Sequence, residues 1–297
     1  MSTSRREHRI RFSQNFLHDR RLVDHLVEES NLGRNDIVLE IGPGDGIITD
    51  ALARRCGHVL AVEKDQRQVM VLQRRFHHRQ GVTVFWADFL EFPLPATRYK
   101  VFASIPYNIT TAIVAKLTSG VSPPDDAFLI VQREAAAKFI GAPVGTLVAL
   151  ELRPWFELSI RRELQRTDFR PVPAVDSVLL QLRRRPEPLV PDELRGAYRD
   201  LITALFTAWK PSVSEALTAI APVETVRLLR AELGADLSRS PARVPFALWL
   251  RLFERMVALD DDRIWSAVAG ASERLRERQS RLTKRHRTPI HRGSGRR

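Results

Sequence analysis

One cysteine in 297 residues, Cys56, leaves no partner for an internal disulfide. That points to a reducing compartment, the cytoplasm. No apolar stretch approaches the ~18 residues that a membrane-spanning helix needs; the run from Ala127 to Val131 is among the longest. Residues 1–16 lack the apolar centre of a secretory signal. Fourteen glycines are too few for a collagen-like repeat, and 44% apolar with 28% charged residues is too balanced for a mainly disordered chain. What remains is a soluble chain long enough for one large or two ordinary domains, with no expected membrane contact.

Acidic residues are scarce at the two ends. Residues 273–297 carry ten Lys and Arg against two acids, and residues 1–12 carry four arginines against Glu7. Together they hold eleven of the twelve net positive charges. A nearly neutral body with two basic ends suits a polyanionic partner, because each phosphate contact releases counterions. Nucleic acid is therefore the expected partner.

Residues 13–186 alternate strand-like and helix-like stretches. Strands are expected at 36–41, 58–63, 82–86, 101–104 and 127–131, with helices at 47–56 and 66–76. Such alternation predicts an α/β domain with a parallel sheet covered on both faces. Residues 155–160 and 177–182 have no helix-length segment between them and are expected to pair antiparallel at the sheet edge. The charged, proline-containing stretch 183–188 sets a boundary. A smaller all-helical domain, 187–262, follows and is expected to bind RNA, with helices expected at 192–209, 212–220, 223–233 and 245–258. Trp209 and Trp249 fall at helical spacing among Leu and Phe and read as core. A basic tail, 263–297, starts as a helix near 264–282 and becomes disordered from about 284. Residues 1–12 form a basic arm.

The chemistry-bearing residues sit at strand ends. Glu40-Ile-Gly42-Pro-Gly44-Asp-Gly46 closes the first strand and opens a helix. Glycines permit the sharp turn and the close approach of a ligand to the backbone. Glu63 ends the second strand, 19 residues after Gly44, where a carboxylate can accept both hydroxyls of a ribose. The Gly-x-Gly-x-Gly spacing differs from the pyrophosphate-binding fingerprint. It suits an adenosine ligand without phosphates, and S-adenosylmethionine is the common one. Glu40 would lie near its sulfonium and amino-acid end, and Asp88, ending the third strand, would accept from its adenine amino group. Capping of the following helices is the simpler alternative for Glu63 and Asp88.

Ser104-Ile105-Pro106-Tyr107 closes the fourth strand. An exocyclic adenine amine is a poor nucleophile because its lone pair is conjugated with the ring. The Ser104 hydroxyl and the Ile105 carbonyl are candidate acceptors for its hydrogens. Pro106 fixes the turn, and Tyr107 offers a face on which an extruded base can stack. Most of the acceleration would come from alignment of nitrogen, methyl carbon and sulfur. Arg161, Arg162, Arg166 and Arg170 flank Phe169 and are candidates for RNA phosphate contacts. His77 and His78, among arginines, read as a solvated helix face, so no metal site is expected. Cys56 reads as an inert thiol.

Gln14-Asn-Phe-Leu17, Glu40–Gly46, Ser104–Ile109 and Phe169-Arg-Pro-Val-Pro-Ala-Val-Asp-Ser177 occur in this order. Together they resemble the rRNA adenine N6-methyltransferases over residues 10 to about 258. Two branches share the pattern: the erythromycin-resistance (Erm) type, acting on 23S rRNA, and the KsgA type, acting on small-subunit rRNA. The residues around Gln14, the helical domain and the arginine-rich tail are more similar to the Erm branch. The resemblance implies a Rossmann-like S-adenosylmethionine-dependent domain and N6-methylation of one adenine in naked or precursor 23S rRNA by a monomer. That modification confers macrolide, lincosamide and streptogramin resistance. It also implies that Gln14, Asn15 and Leu17 contact the cofactor beside Gly42, with Glu40, Gly44, Glu63, Lys64, Asp88, Phe89 and Ser104 completing that set. Tyr107 and Phe169 would sandwich the target adenine. Ser104 stands where both branches usually carry Asn, which leaves the number of methyl groups added open. A KsgA-type dimethyltransferase and a non-catalytic nucleic-acid-binding factor on the same fold are the alternatives.

Overall fold

The computed structural model describes residues 16–120 and 122–281. The chain divides into two compact units, which meet in sequence at Val190 and Pro191.

The first unit is built on a seven-stranded sheet ordered β4-β3-β2-β5-β6-β9-β7. Its strands are β2 (Ile37–Ile41), β3 (His58–Glu63), β4 (Val82–Trp86), β5 (Lys100–Ser104), β6 (Asp126–Gln132), β7 (Phe156–Leu164) and β9 (Ser177–Arg184). β4 through β6 pair in parallel, whereas β9 runs antiparallel to both β6 and β7. The central strands are continuous apolar runs because both faces are covered; β6 is buried from Asp126 to Val131. The one charge in that run, Asp126, accepts from Gln181 Nε2 at 2.5 Å and Asn31 Nδ2 at 2.7 Å. Strand order reverses between β2 and β5, and in open sheets ligands bind at the carboxyl edge of such a reversal.

Helices α1 (Arg20–Glu28) and α2 (Ile47–Arg55) cover one face. Asp19 caps α1 by accepting from Arg21 N at 2.8 Å. Its apolar stripe, Val23, Leu26 and Val27, packs with Leu52, Phe102 and Phe128 in one core cluster. Helices α3 (Gln66–Phe76), α4 (Thr110–Ser119), α5 (Arg133–Ile140) and α6 (Leu147–Leu152) complete the unit. A separate two-stranded ribbon joins β1 (Phe16–Leu17) to β8 (Phe169–Arg170), antiparallel, with Leu17 opposite Phe169. Helices α1, α4, α5 and α6 are elements for which the sequence reading gives no expectation.

The second unit is helical: α7 (Arg195–Phe206), α8 (Val213–Leu217), α9 (Val223–Leu233), α10 (Phe246–Leu259), α11 (Asp262–Val268) and α12 (Ala271–Arg281). Trp249, Tyr198, Phe253 and Met256 are buried, and the Tyr198 and Phe253 rings meet edge to face at 5.2 Å. Three expectations need correction. The helix expected over 192–209 stops at Phe206, because Trp209 takes a left-handed backbone (φ 55°) that no α-helix accommodates. Trp209 is accordingly outside the core, 96% exposed. The single helix expected over 264–282 is two, separated at Gly270 (φ 72°). Asp200 of α7 fixes that break, accepting from Gly270 N at 2.7 Å and Ser272 N at 2.9 Å. Trp265 packs edge to face on Phe253 at 6.0 Å and so docks α11 on α10. The expected disorder from about residue 284 lies outside the described residues.

Candidate active site

Three strand ends and the loops behind them line a cleft of about 990 Å³ at the sheet reversal. After β2 the chain turns through Gly42 and Gly44, both left-handed (φ 67° and 54°). A Cβ on Gly44 would stand 2.5 Å from the Phe16 ring, so glycine is required both by the turn and by the aromatic packed on it. Glu63, at the end of β3, is 4% exposed. Its carboxylate accepts from Gly44 N at 3.2 Å and from Asp65 N at 2.8 Å. One acid thus ties the glycine loop to the loop after β3, while it also lines the cleft.

Glu40 is 1% exposed, and neither carboxylate oxygen has a well-formed hydrogen bond among the described residues. Burial pushes its carboxyl up to about 8, and the Glu63 charge pushes the same way; Thr49, in the first turn of α2, opposes them. An uncompensated buried carboxylate is costly, so this group holds a proton at neutral pH. It stands behind the glycine loop and is not among the cleft-lining side chains.

On the far side of Glu63, Asp88 accepts from Lys64 Nζ at 2.5 Å and from Leu90 N at 2.9 Å. The hydrogen bond from Lys64 is the main cause that holds the Asp88 carboxyl below its usual range. Phe89 is buried, with Lys116 Nζ 5.3 Å from its ring centre. Phe89, Ala87, Val62, Ile41 and Ile47 give this end of the cleft an apolar lining. Flat and apolar with a carboxylate at its edge, it matches the requirements of a purine.

Ser104 ends β5, and Ser104, Ile105, Pro106 and Tyr107 line a second, small cavity of about 30 Å³. That cavity shares Phe16, Leu17, Gly42, Asp45, Ile47 and Pro106 with the large cleft, so the two adjoin. The Ser104 hydroxyl has no hydrogen-bond partner among the described residues. Tyr107 is half-buried, and its oxygen lies 2.6 Å from the Oγ of Ser177. Ser177 itself is 1% exposed, at the start of β9. Ser177 ends the Phe169–Ser177 motif, and only the pairing of β9 with β6 brings it beside Tyr107.

Phe169 departs from the expected sandwich. It is 1% exposed, sits in β8 of the ribbon itself opposite Leu17, and shares a core cluster with that residue. In this conformation it offers no free face to a base. Leu17 lines the cleft beside Gly42, whereas Gln14 and Asn15 lie outside the described residues. Phe16, which sequence reading passed over, is the residue seated on Gly44.

The four flanking arginines divide into two pairs. Arg162 holds Glu29 with two hydrogen bonds, and Arg166 holds Asp176 at 2.8 Å. Both are exposed ion pairs of the kind that contribute little and exchange readily. Arg170 lines the cleft, and Arg161 is exposed, its charge acting on Glu29 alongside that of Arg162. Three further cations, Arg20, Arg67 and Arg75, also line the cleft. On α1 and α3 they sit in polar helix faces, which carry no signal of a cleft beside them. Cys56 is buried at the end of α2, its thiol pushed up to about 11 by burial. His77 Nδ1 lies 2.8 Å from Arg74 O at the end of α3.

A family model described as ribosomal RNA adenine dimethylase matches residues 5–257. Ribosomal RNA small subunit methyltransferase A of Gloeobacter violaceus is 37% identical over 77% of this chain and 85% of that protein. The mycinamicin-resistance protein MyrB of Micromonospora griseorubida is 36% identical over 67% of this chain and 63% of that protein. Among solved structures, the 23S rRNA methyltransferase ErmE aligns with a TM-score of 0.75 at 32% identity, over 82% of this chain and 100% of that one.

Proposed function

Since the chain belongs to the ribosomal RNA adenine dimethylase family, we propose that it methylates N6 of one adenine in 23S rRNA and thereby confers macrolide resistance. It is an enzyme, an rRNA adenine N6-methyltransferase. The observation that carries the finer reading is the adjoining pair of cavities, one lined by Glu63 and Asp88, the other by Ser104 to Tyr107, with six residues in common.

The large cleft fits S-adenosylmethionine. The Gly44 turn admits no Cβ, Glu63 and Asp88 are acceptors set apart along one wall, and the surface between them is apolar. Bound there, the cofactor supplies an electrophilic methyl group. Glu63 takes the ribose hydroxyls, Asp88 the adenine amine, and Phe89 packs beside the purine. The hydrogen bond from Lys64 holds the Asp88 carboxyl below its usual range. Across Pro106, the Ser104 hydroxyl and the Ile105 carbonyl accept the hydrogens of the target amine and turn its lone pair toward the cleft. Tyr107, fixed by Ser177, presents a ring to the base. No strong base is needed, because a methylated ammonium nitrogen loses its proton readily to water. Arg161, Arg170 and the cleft arginines take flanking phosphates of naked or precursor rRNA. The enzyme acts as a monomer in the cytoplasm. Among the described residues no helix is long and apolar enough to cross a membrane.

Expression in a macrolide-sensitive bacterium tests this reading. The inhibitory concentration rises with the wild type and stays at the host level with Glu63→Ala. Folded wild-type protein without any rise refutes it. The 37% identity to a small-subunit enzyme favours a second reading, KsgA-type modification. Primer extension on both rRNAs separates the two, since their target adenines lie in different subunits.

A further inference from the structure

Trp209 is the most exposed large hydrophobic side chain among the described residues, at 96%, and its backbone is left-handed, φ 55°. Bulky residues rarely enter that region, which glycine or asparagine fills at lower cost. The indole returns nothing to the fold for this strain, since it packs on nothing. Nor is the segment a loose end. On one side Thr207 is tied to Thr203, its N–H donating at 3.0 Å and its hydroxyl at 2.7 Å to the same carbonyl. On the other side Ser212 is buried and caps α8 by accepting from Glu215 N at 3.2 Å. The next amide, Val213 N, donates to Arg239 O at 3.1 Å. A half-buried anchor at Thr207 and a buried one at Ser212 therefore hold a short tip, Trp209-Lys210-Pro211, out in water. Strain that is locked in place and unrewarded within the fold is the signature of a functional position.

The surroundings of the ring select its partner. Protein interfaces gather several apolar side chains around an aromatic anchor. Here Ala208 is half-buried, Lys210 and Pro211 are exposed, and no other large apolar side chain of this loop is exposed. The nearest acid along the chain, Glu215, is engaged at Ser212. Arg239, at the far anchor, is exposed and pairs with Asp236 at 2.9 Å. One isolated flat ring beside Lys210, a cation without an acidic partner among the described residues, is what a nucleobase and its phosphate require, since stacking needs only a π-face.

We propose that Trp209 is a stacking platform for an unpaired base of the RNA substrate, with Lys210 on the adjoining phosphate. This rests on the reading of the chain as an rRNA-modifying enzyme and adds a second point of RNA contact, in the helical unit. It also explains why a residue that looks like core by its spacing stands outside: the ring is reserved for a partner.

The test uses the full chain and two RNA probes, protein-free 23S rRNA transcript and a short oligouridylate, with binding measured without turnover. Trp209→Ala weakens binding of both RNAs about five- to hundredfold, the range of one lost base stack, and raises KM for rRNA by a similar factor. Trp209→Phe keeps most of the affinity, because a ring remains. Trp209→Gly loses affinity like Ala, yet its thermal midpoint is not lowered, since the strain is relieved. Lys210→Ala reduces the slope of log affinity against log salt by about one contact. Wild-type affinity in Trp209→Ala overturns the proposal. So does a loss in Trp209→Phe as large as in Trp209→Ala. Retained RNA binding with loss of binding to phosphatidylglycerol vesicles overturns it in favour of a membrane contact. Transfer of a labelled methyl group to rRNA by the wild type reports separately on the proposed function, so each can fail alone.

Discussion

Removing the hydroxyl from either side of the Tyr107–Ser177 contact should give unequal effects, and the inequality follows from burial. The two oxygens are 2.6 Å apart. Ser177 is 1% exposed, whereas Tyr107 is half-buried. In Ser177→Ala the tyrosine oxygen can recover a hydrogen bond from water, so the loss is the net worth of one neutral bond, about 0.5–1.5 kcal/mol. In Tyr107→Phe the buried serine hydroxyl is left without its partner, which costs about 1–3 kcal/mol. Tyr107→Phe is therefore the more destabilising change, although it removes one exposed-side atom and keeps the ring. In the double variant neither penalty remains, so the two effects are not additive, and the coupling is about 1 kcal/mol. If the bond serves to orient the ring, Ser177→Ala also lowers kcat for rRNA by up to about fivefold, the rate equivalent of ~1 kcal/mol, with cofactor affinity unchanged. Urea unfolding and single-turnover transfer of labelled methyl, measured on all four proteins, complete the cycle. Additive stabilities, or a smaller loss in Tyr107→Phe than in Ser177→Ala, would refute the reasoning.

Other outcomes follow from the same geometry. Glu40 folds with its carboxyl raised from 4.5 to about 8, so the folded chain binds a proton there that the unfolded chain releases. Its contribution is complete below about pH 4.5 and is lost as pH rises toward 8; Glu40→Gln should flatten the fall of the thermal midpoint across that window, and an unchanged slope argues against a buried protonated acid. Gly44→Ala forces a Cβ to within 2.5 Å of the Phe16 ring at a left-handed position. It should destabilise by roughly 1–3 kcal/mol and weaken cofactor binding in calorimetric titration. Asp88→Asn removes the charge that raises the Lys64 ammonium and should reduce cofactor affinity more than rRNA affinity. Tyr107→Ala should cut turnover while leaving cofactor affinity nearly unchanged; equal loss of both makes the ring structural.

Legibility in the sequence followed the range of the interaction. β3, α3 and β4 appear at the boundaries expected for them, because continuous apolar runs and period-3.6 patterns are local signals. The antiparallel pairing of β7 with β9 was likewise readable from two strand patterns with no helix between them. Phe16 on Gly44, Ser177 on Tyr107 and Asp200 on Gly270 were not readable, because each joins residues that only the tertiary fold brings together. Arg162 and Arg166 look identical to Arg161 and Arg170 along the chain; their acids, Glu29 and Asp176, come from other segments. Phe169 is hidden for the same reason, since its cover is Leu17, 152 residues away. Trp209 misled in the opposite sense. Its spacing is that of a core residue, but the helix ends at Phe206 and Trp209 itself is left-handed.

Mass mapping of rRNA after incubation with methyl-labelled S-adenosylmethionine tests the central claim most directly. The account predicts label on N6 of a single adenine in the large-subunit RNA, abolished by Glu63→Ala and strongly reduced by Tyr107→Ala. Label confined to small-subunit RNA, on another atom, or undiminished in Glu63→Ala would contradict it.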